Sequence, residues 1–332
     1  MLVKEPKVSV SIITYQHEQY IARAIESVLQ QRVDFPYEII IGDDFSTDGT
    51  REILRQYQQQ YPDIIQLVLH PRRYDNVPGR INNITNLYAC RGQYVALLDG
   101  DDYWLGEDKL QTQVDFLDQH PDYVLAFHDA LKVYDDPAIP DERCSRKYPA
   151  LQSDNSFTQQ DILSGWGFVP TSSIVFRNRL VGEFPQWFWQ VVAADYALLT
   201  LLTQHGKMKY FCQVNGVYQQ HGQSFTNVHN RSLENIARKI KELQVYKKEF
   251  LPPASTPKEY YRRVRLSYRL DQQIAMHRYH FVLQLRHKKM YRALVGYLIS
   301  SSFKNFTLLF YLKVLFAKVR HDATQLSQSF LR

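Results

Sequence analysis

In the stretch ALLDGDDYW, Ala96 to Trp104, three aspartates (Asp99, Asp101 and Asp102) fall within four positions, directly after an apolar run. Carboxylates this close repel one another, and burying them uncompensated is costly, so a cation or strong donors are expected beside them. Two other apolar runs also end in polar residues, the first in Thr14 and Tyr15, the second in Asp43 and Asp44. Each end alone has a plain explanation in helix capping, whereas three together favour a shared ligand. The sequence has no Walker loop and no GxGxxG to cradle phosphates. An anionic nucleotide facing these carboxylates would therefore need a divalent ion between them, and all-oxygen ligation suits Mg²⁺ or Mn²⁺ rather than zinc.

The elements that must present these residues alternate. VSVSIIT reads as a strand, and HEQYIARAIESVLQQ as a helix with Ile21, Ala24, Ile25, Val28 and Leu29 at helical spacing. YEIIIGDD is a second strand, STDGTREILRQYQQQYP a capped helix ended by proline, and IIQLVLH a third strand. A helix around Asn83 to Cys90 leads into GQYVALLDG, whose continuous apolar run suits a strand covered on both faces. This order predicts a doubly wound α/β sheet with its site at the carboxyl ends of the strands.

Taken together, VSVSIITYQHEQYIARAIESVLQQ, IIIGDDFSTDGT and GQYVALLDGDDYW resemble the family 2 glycosyltransferases, over about residues 8 to 225. The resemblance implies a GT-A, Rossmann-like sheet that is mixed but mostly parallel, flanked by helices. It also implies inverting transfer of a sugar from a UDP- or dTDP-linked donor to an acceptor hydroxyl. By position, Thr14, Tyr15, Asp43 and Asp44 would hold base and ribose. Asp99, Gly100 and Asp101 would face ribose and diphosphate, and Asp101 and Asp102 the metal. In QWFWQVVAADYALLTLL, Asp195 is the expected catalytic base, with Ala194 where the family usually has Glu. GVYQQHGQSFT resembles the segment that closes over the diphosphate, which puts His221 at the metal and Gln219 where Arg is usual. Arg80 and Asn83 are the nearest candidates to stand in for that arginine. Gln16 replaces a common Asn. His128, Asp129 and Trp166 are expected on the acceptor side, and the aromatics Trp187, Phe188 and Trp189 are expected to pack more than to stack on sugar.

Charge divides the chain. Residues 231–332 carry 21 Lys and Arg against 6 Asp and Glu, whereas residues 1–230 carry 19 against 28. The expected organisation is a catalytic domain at 1–230, with a nucleotide-sugar half to about 130 and an acceptor half from 131, followed by a basic helical extension at 231–332. Pro252, Pro253 and Pro257 mark a hinge between them. Apolar residues between Ala293 and Lys318 are interrupted by Lys304 and Lys313, too short a run to span a bilayer but suited to an interfacial helix. For the extension, a membrane surface, a homodimer interface and packing on the body stay open. Cys90, Cys144 and Cys212 form no CxxC pair and the N-terminus lacks the order of a secretion signal. A cytoplasmic protein is expected, peripheral on the inner face of the plasma membrane in the case that the extension binds membrane. Expected partners are a nucleotide-sugar donor and a saccharide or lipid-linked saccharide acceptor, with no nucleic acid. A non-catalytic nucleotide-sugar-binding scaffold, and a nucleic-acid binder using the basic tail, are the alternatives from other classes.

Overall fold

The computed structural model describes residues 5–73, 79–164, 169–191, 193–222, 224, 233–251 and 256–287. The chain divides into two compact units, Met1–Val228 and His229–Arg332.

The first unit begins with the alternation the sequence predicts: β1 (Val8–Thr14), α1 (Ile21–Leu29), β2 (Tyr37–Asp43), α2 (Thr50–Gln60), β3 (Ile65–Leu69), α3 (Arg80–Ala89) and β4 (Tyr94–Asp99). Val8, Val10 and Ile12 of β1 join Ile39, Ile41, Ala96 and Leu98 of its neighbours in one buried layer, under which α1 lays Ile21, Ala24, Ile25 and Val28. Helix α1 starts four residues later than the periodicity suggests, because His17 to Tyr20 form a turn in which the His17 carbonyl accepts from Tyr20 and Ile21 N–H. Helix α2 likewise starts at Thr50, whose N–H is taken by the Asp48 carboxylate (3.1 Å). The other sheet face is polar where α3 meets it: Asn82 donates to the Gly42 carbonyl, and Asn86 to those of Ile12 and Ile40, each at 2.9 Å. Amides rather than an apolar stripe fasten this helix, which explains its weak hydrophobic periodicity. Gly42 makes the approach possible, since a Cβ there would lie 2.2 Å from Asn82 Oδ1.

The second half of this unit adds β5 (Tyr103–Trp104), α4 (Lys109–Gln119), β6 (Tyr123–Tyr134), β7 (Glu142–Arg143), β8 (Asn155–Phe157), α5 (Gln159–Leu163), β9 (Val175–Arg177), α6 (Ala194–Leu202) and β10 (Lys207–Gln220). Among the described residues the strands form one sheet, in the order β3-β2-β1-β4-β9-β6-β10-β5. The first four are mutually parallel, β9 runs antiparallel to both β4 and β6, and β6 and β10 are parallel. This is the mixed, mostly parallel sheet expected, with the ends of β1, β2 and β4 opening at a common edge.

In the second unit, α7 (Leu233–Phe250) and α8 (Pro257–His287) pack together and are joined by a Lys247–Asp271 ion pair (2.6 Å). Among the described residues no helix is long and apolar enough to cross a membrane. The apolar segment from Ala293 to Lys318 lies outside them.

Candidate active site

Strand register assembles the site. Thr14 of β1 pairs with Asp43 of β2, and Ile13 with Asp99 of β4, so three strand ends meet side by side. The chain then turns sharply: Gly100 N–H bonds the Ile13 carbonyl at 2.8 Å. A Cβ on Gly100 would sit 2.8 Å from Thr14 Cβ and 2.9 Å from His17 Nδ1, so only glycine lets the aspartate turn lie against the first strand.

The three aspartates take three different environments. Asp101 Oδ2 lies 3.0 Å from His221 Nε2 and 3.8 Å from His17 Nε2. Burial works to raise its pKa, but the His221 hydrogen bond and the neighbouring imidazoles prevail and hold it below the ordinary carboxylate range. Asp99 is pushed up to about 8, first by burial and then by the charges of Asp101 and Asp195. Asp102 is buried, accepts the Gln219 backbone N–H at 2.9 Å, and is pushed well up by burial and by Asp101 and Asp99. The crowding of acid anticipated from ALLDGDDYW is therefore real, and two of the three carboxyls respond by favouring the protonated form.

His17, Asp101 and His221 each offer one ligand atom, all within 4.8 Å of one another. Two imidazoles and a carboxylate form a donor set that a divalent first-row ion accepts, so these residues fit Mn²⁺ of the two ions expected, through a set that is not all oxygen. The sequence reading missed His17, which it assigned to a helix. Its position three residues beyond Thr14, at the end of an apolar strand, is the signal that could have found it. Asp102, expected at the metal, does not share this cluster. Burial lowers the pKa of His17, against the opposing charge of Asp101. Tyr20, also missed, stacks on the His221 ring with centroids 4.8 Å apart. Its hydroxyl donates to Asp135 (3.0 Å) and is pushed up to about 12 by burial and that bond. Gln219 donates to the other Asp135 oxygen at 2.7 Å. His221 is thus held from the side.

At the β1–β2 edge, Tyr15 carries the Arg73 guanidinium over its ring at 3.7 Å, and Arg73 lies 3.9 Å from Asp44. Asp44 also accepts from Gly79 N–H at 3.2 Å, and burial raises its pKa. Asp43 is fully buried and its Oδ2 accepts from Arg51 and from Ser46 N–H. Gln16 adopts a left-handed φ of 57°, and its side chain binds Thr47 N–H (2.7 Å) and Asp48 N–H (3.2 Å), tying the β1 loop to the β2 loop. Asparagine is the residue that visits this region most readily after glycine, while the longer glutamine gives the reach seen here.

On the remaining side, Asp195 sits in the first turn of α6, accepts from Tyr196 N–H (2.8 Å) and from Thr171 Oγ1 (3.3 Å), and lies close enough to Asp99 to shift its pKa. The other expected residues are placed as follows. Arg80, buried, donates to the Phe188 (2.7 Å) and Val191 (2.5 Å) carbonyls and so struts the aromatic loop instead of standing free for a diphosphate. Asn83 lies within the first turns of α3. Asp129 is buried, and both its oxygens are taken, by Arg143, Ser145 and Ala130 N–H, which pins the chain after β7 and leaves no lone pair turned to an acceptor. His128 is buried with its pKa driven to about 3, by burial and then by Lys109, whose ammonium lies 3.8 Å over Trp104. Phe188 is core, while Trp189 is 39% exposed. Trp166 lies outside the described residues.

A family model described as Glycosyl transferase family 2 matches residues 9–177. An uncharacterized protein of Mycobacterium tuberculosis is 33% identical over 214 residues, covering 64% of this chain and 58% of its own. Poly(ribitol-phosphate) beta-N-acetylglucosaminyltransferase TarS of Staphylococcus aureus is 32% identical over 122 residues, 36% of this chain and 20% of its own. The chain thus spans less than two thirds of the length of these relatives. Among solved structures, S. aureus TarS 1–349 in complex with UDP-GlcNAc superposes with a TM-score of 0.59 at 17% identity, over 84% of this chain and 79% of that one. The mannosyltransferase PcManGT from Pyrobaculum calidifontis, in complex with GDP-Man and Mn²⁺, gives 0.56 at 16%, over 93% and 84%. At these identities the structural likeness is one of fold, the GT-A fold. By the family match over half its length, and by the strand-end aspartates within that match, the chain belongs to glycosyl transferase family 2.

Proposed function

We propose that the protein is an inverting glycosyltransferase that moves a sugar from a UDP- or dTDP-linked donor to an acceptor hydroxyl in the synthesis of a cell-surface polysaccharide. The observation that carries this reading is Asp101 set beside the His17 and His221 rings, with Asp99 next to it in the turn and Asp195, from a separate part of the chain, near enough to act on Asp99. Tyr15, Arg73 and Asp44 line the rim where base and ribose would lie, with the Tyr15 face and the Asp44 acceptor supplying stacking and a hydroxyl contact. Asp101 and His221 would hold Mn²⁺ or Mg²⁺, which when bound supplies positive charge for the departing diphosphate. Asp195 would accept the acceptor's proton, with Thr171 fixing the carboxylate. Structures of the same fold in complex with UDP-GlcNAc or GDP-Man support a nucleotide-sugar donor, and relatives named for teichuronic acid biosynthesis and for poly(ribitol-phosphate) support a glycan or polymer as the acceptor class.

A screen of nucleotide sugars for Mn²⁺-dependent binding and hydrolysis tests the reading. Selective binding with turnover of one donor is the expected result. Binding without hydrolysis or transfer would favour the scaffold alternative, and no binding of any donor would sink both.

We also place the enzyme at an anionic membrane face. The second unit carries the chain's excess of positive charge, and Tyr260, Val264 and Tyr268 stand exposed at four-residue spacing on α8 beside exposed Arg263 and Arg265. Flotation with phosphatidylglycerol vesicles at moderate salt should capture the full chain. An unbound protein that sediments as a dimer would assign this surface to self-association.

A further inference from the structure

We infer that His17, from the turn between β1 and α1, is a third protein ligand to the divalent ion, making the site two imidazoles and one carboxylate and tuning it to Mn²⁺ over Mg²⁺. The inference rests on the proposed metal at Asp101 and goes beyond it by naming a donor from the other side of the aspartate turn.

Three observations converge. His17 Nε2 faces Asp101 Oδ2 at 3.8 Å, too long for a hydrogen bond yet suited to two donors on one cation, and His221 Nε2 completes the group within 4.8 Å. The ring is also held there without any polar bond of its own: His17 Nδ1 is buried with no hydrogen-bond partner, packed against Gly100. With the proton on Nδ1 against Gly100, the Nε2 lone pair is the one turned towards Asp101, at a distance that leaves it to a shared cation rather than to a hydrogen bond. Finally, the backbone is fixed for the purpose. His17 N–H bonds Thr50 Oγ1 at 2.9 Å, its carbonyl starts α1, and its ring meets those of Tyr20 and His221 edge to face. Asp102, the neighbouring candidate, accepts the Gln219 N–H through Oδ1 and does not join the His17–Asp101–His221 cluster.

The donor set decides the ion. Mg²⁺ takes oxygen ligands and gives up water reluctantly, while Mn²⁺, though the weakest binder of the first-row series, is softer and accepts imidazole nitrogen more readily. Removing the imidazole of His17 should therefore weaken Mn²⁺ and leave Mg²⁺ nearly unchanged.

The test is Mn²⁺ alone bound to the full chain, followed by electron paramagnetic resonance titration and by spin-echo modulation, which reports imidazole nitrogens coupled to the ion. The parent should show the couplings of two imidazoles, those of His17 and His221. His17→Ala should show one, with Mn²⁺ affinity lowered by at least the ~10-fold that even an outer-shell partner's loss brings. Competition with Mg²⁺ should show the parent's preference for Mn²⁺ reduced in the variant. A single imidazole coupling in the parent, which needs no variant to fold, overturns the inference. So does a His17→Ala protein, folded by circular dichroism, that binds Mn²⁺ as the parent does. Asp101→Ala separates the two levels: if it alone abolishes Mn²⁺ binding, His17 is a packing residue and the proposed function stands. If Asp101→Ala binds Mn²⁺ as before, both fall.

Discussion

Asp101 and His221, 120 positions apart in the chain, meet at 3.0 Å between Oδ2 and Nε2. That contact fastens the aspartate turn after β4 to the end of β10, so the geometry of the turn and the place of the histidine are one property. Whatever displaces the turn must weaken the site as well as the fold.

Gly100→Ala is the smallest such change. Its methyl would meet Thr14 and the His17 ring at under 3.0 Å, and forced overpacking of this kind costs about 1–3 kcal/mol. Urea unfolding should show that loss, together with weakened Mn²⁺ binding. A variant as stable as the parent and equally able to bind Mn²⁺ would show that the turn has room to yield.

The Asp99 carboxyl, pushed up to about 8 by burial and then by Asp101 and Asp195, gives the metal-free protein a pH signature. An unfolded Asp ionises near pH 3.9. Between about pH 4 and 8 the native state therefore keeps a proton that the unfolded chain has released, and stability falls as pH rises through that window. Asp99→Asn should flatten the decline, so that its Tm exceeds the parent's by a margin that grows as pH rises to 8. The two proteins should melt together near pH 4. Parallel Tm curves for parent and variant at all pH values would mean that Asp99 ionises normally in the fold.

Arg80 distinguishes a strut from a phosphate ligand. Lysine cannot reproduce the fork that serves the Phe188 and Val191 carbonyls, and a buried carbonyl left unpaired costs about 1–3 kcal/mol. Arg80→Lys should lower the urea midpoint while UDP affinity with Mn²⁺ stays near that of the parent. A large loss of UDP affinity with no loss of stability would return Arg80 to the diphosphate.

Much of this fold could be read in the sequence because apolar periodicity sets β1 to β4 and α1, and the polar ends of β1, β2 and β4 mark the candidate site. What periodicity could not reveal depends on polar contacts across the chain. Helix α3 is held by Asn82 and Asn86 amides on strand carbonyls, a fastening without a hydrophobic pattern. His17 looked like part of a helix because the turn preceding α1 is set by the Thr50 hydroxyl, thirty-three positions away. The same limit affected Asp129: a carboxylate at the end of an apolar run reads alike whether it faces a ligand or, as here, is consumed by Arg143 and Ser145.

Asp195→Asn tests the base proposed at the start of α6. The amide can keep the contacts to Thr171 and Tyr196 N–H but cannot take a proton. Transfer should slow by roughly 10² to 10⁴, the range for loss of general base catalysis, with donor affinity retained. Turnover close to that of the parent would move the base elsewhere.

On the proposed function, the aspartate turn holds a nucleotide diphosphate through a divalent ion at Asp101. Calorimetric titration of UDP into the parent and into Asp101→Ala, each with and without Mn²⁺, addresses it most directly. The account predicts binding by the parent that depends on Mn²⁺ and disappears in a folded Asp101→Ala protein. Equal UDP affinity with and without Mn²⁺, or undiminished Mn²⁺-dependent binding in the variant, would contradict it.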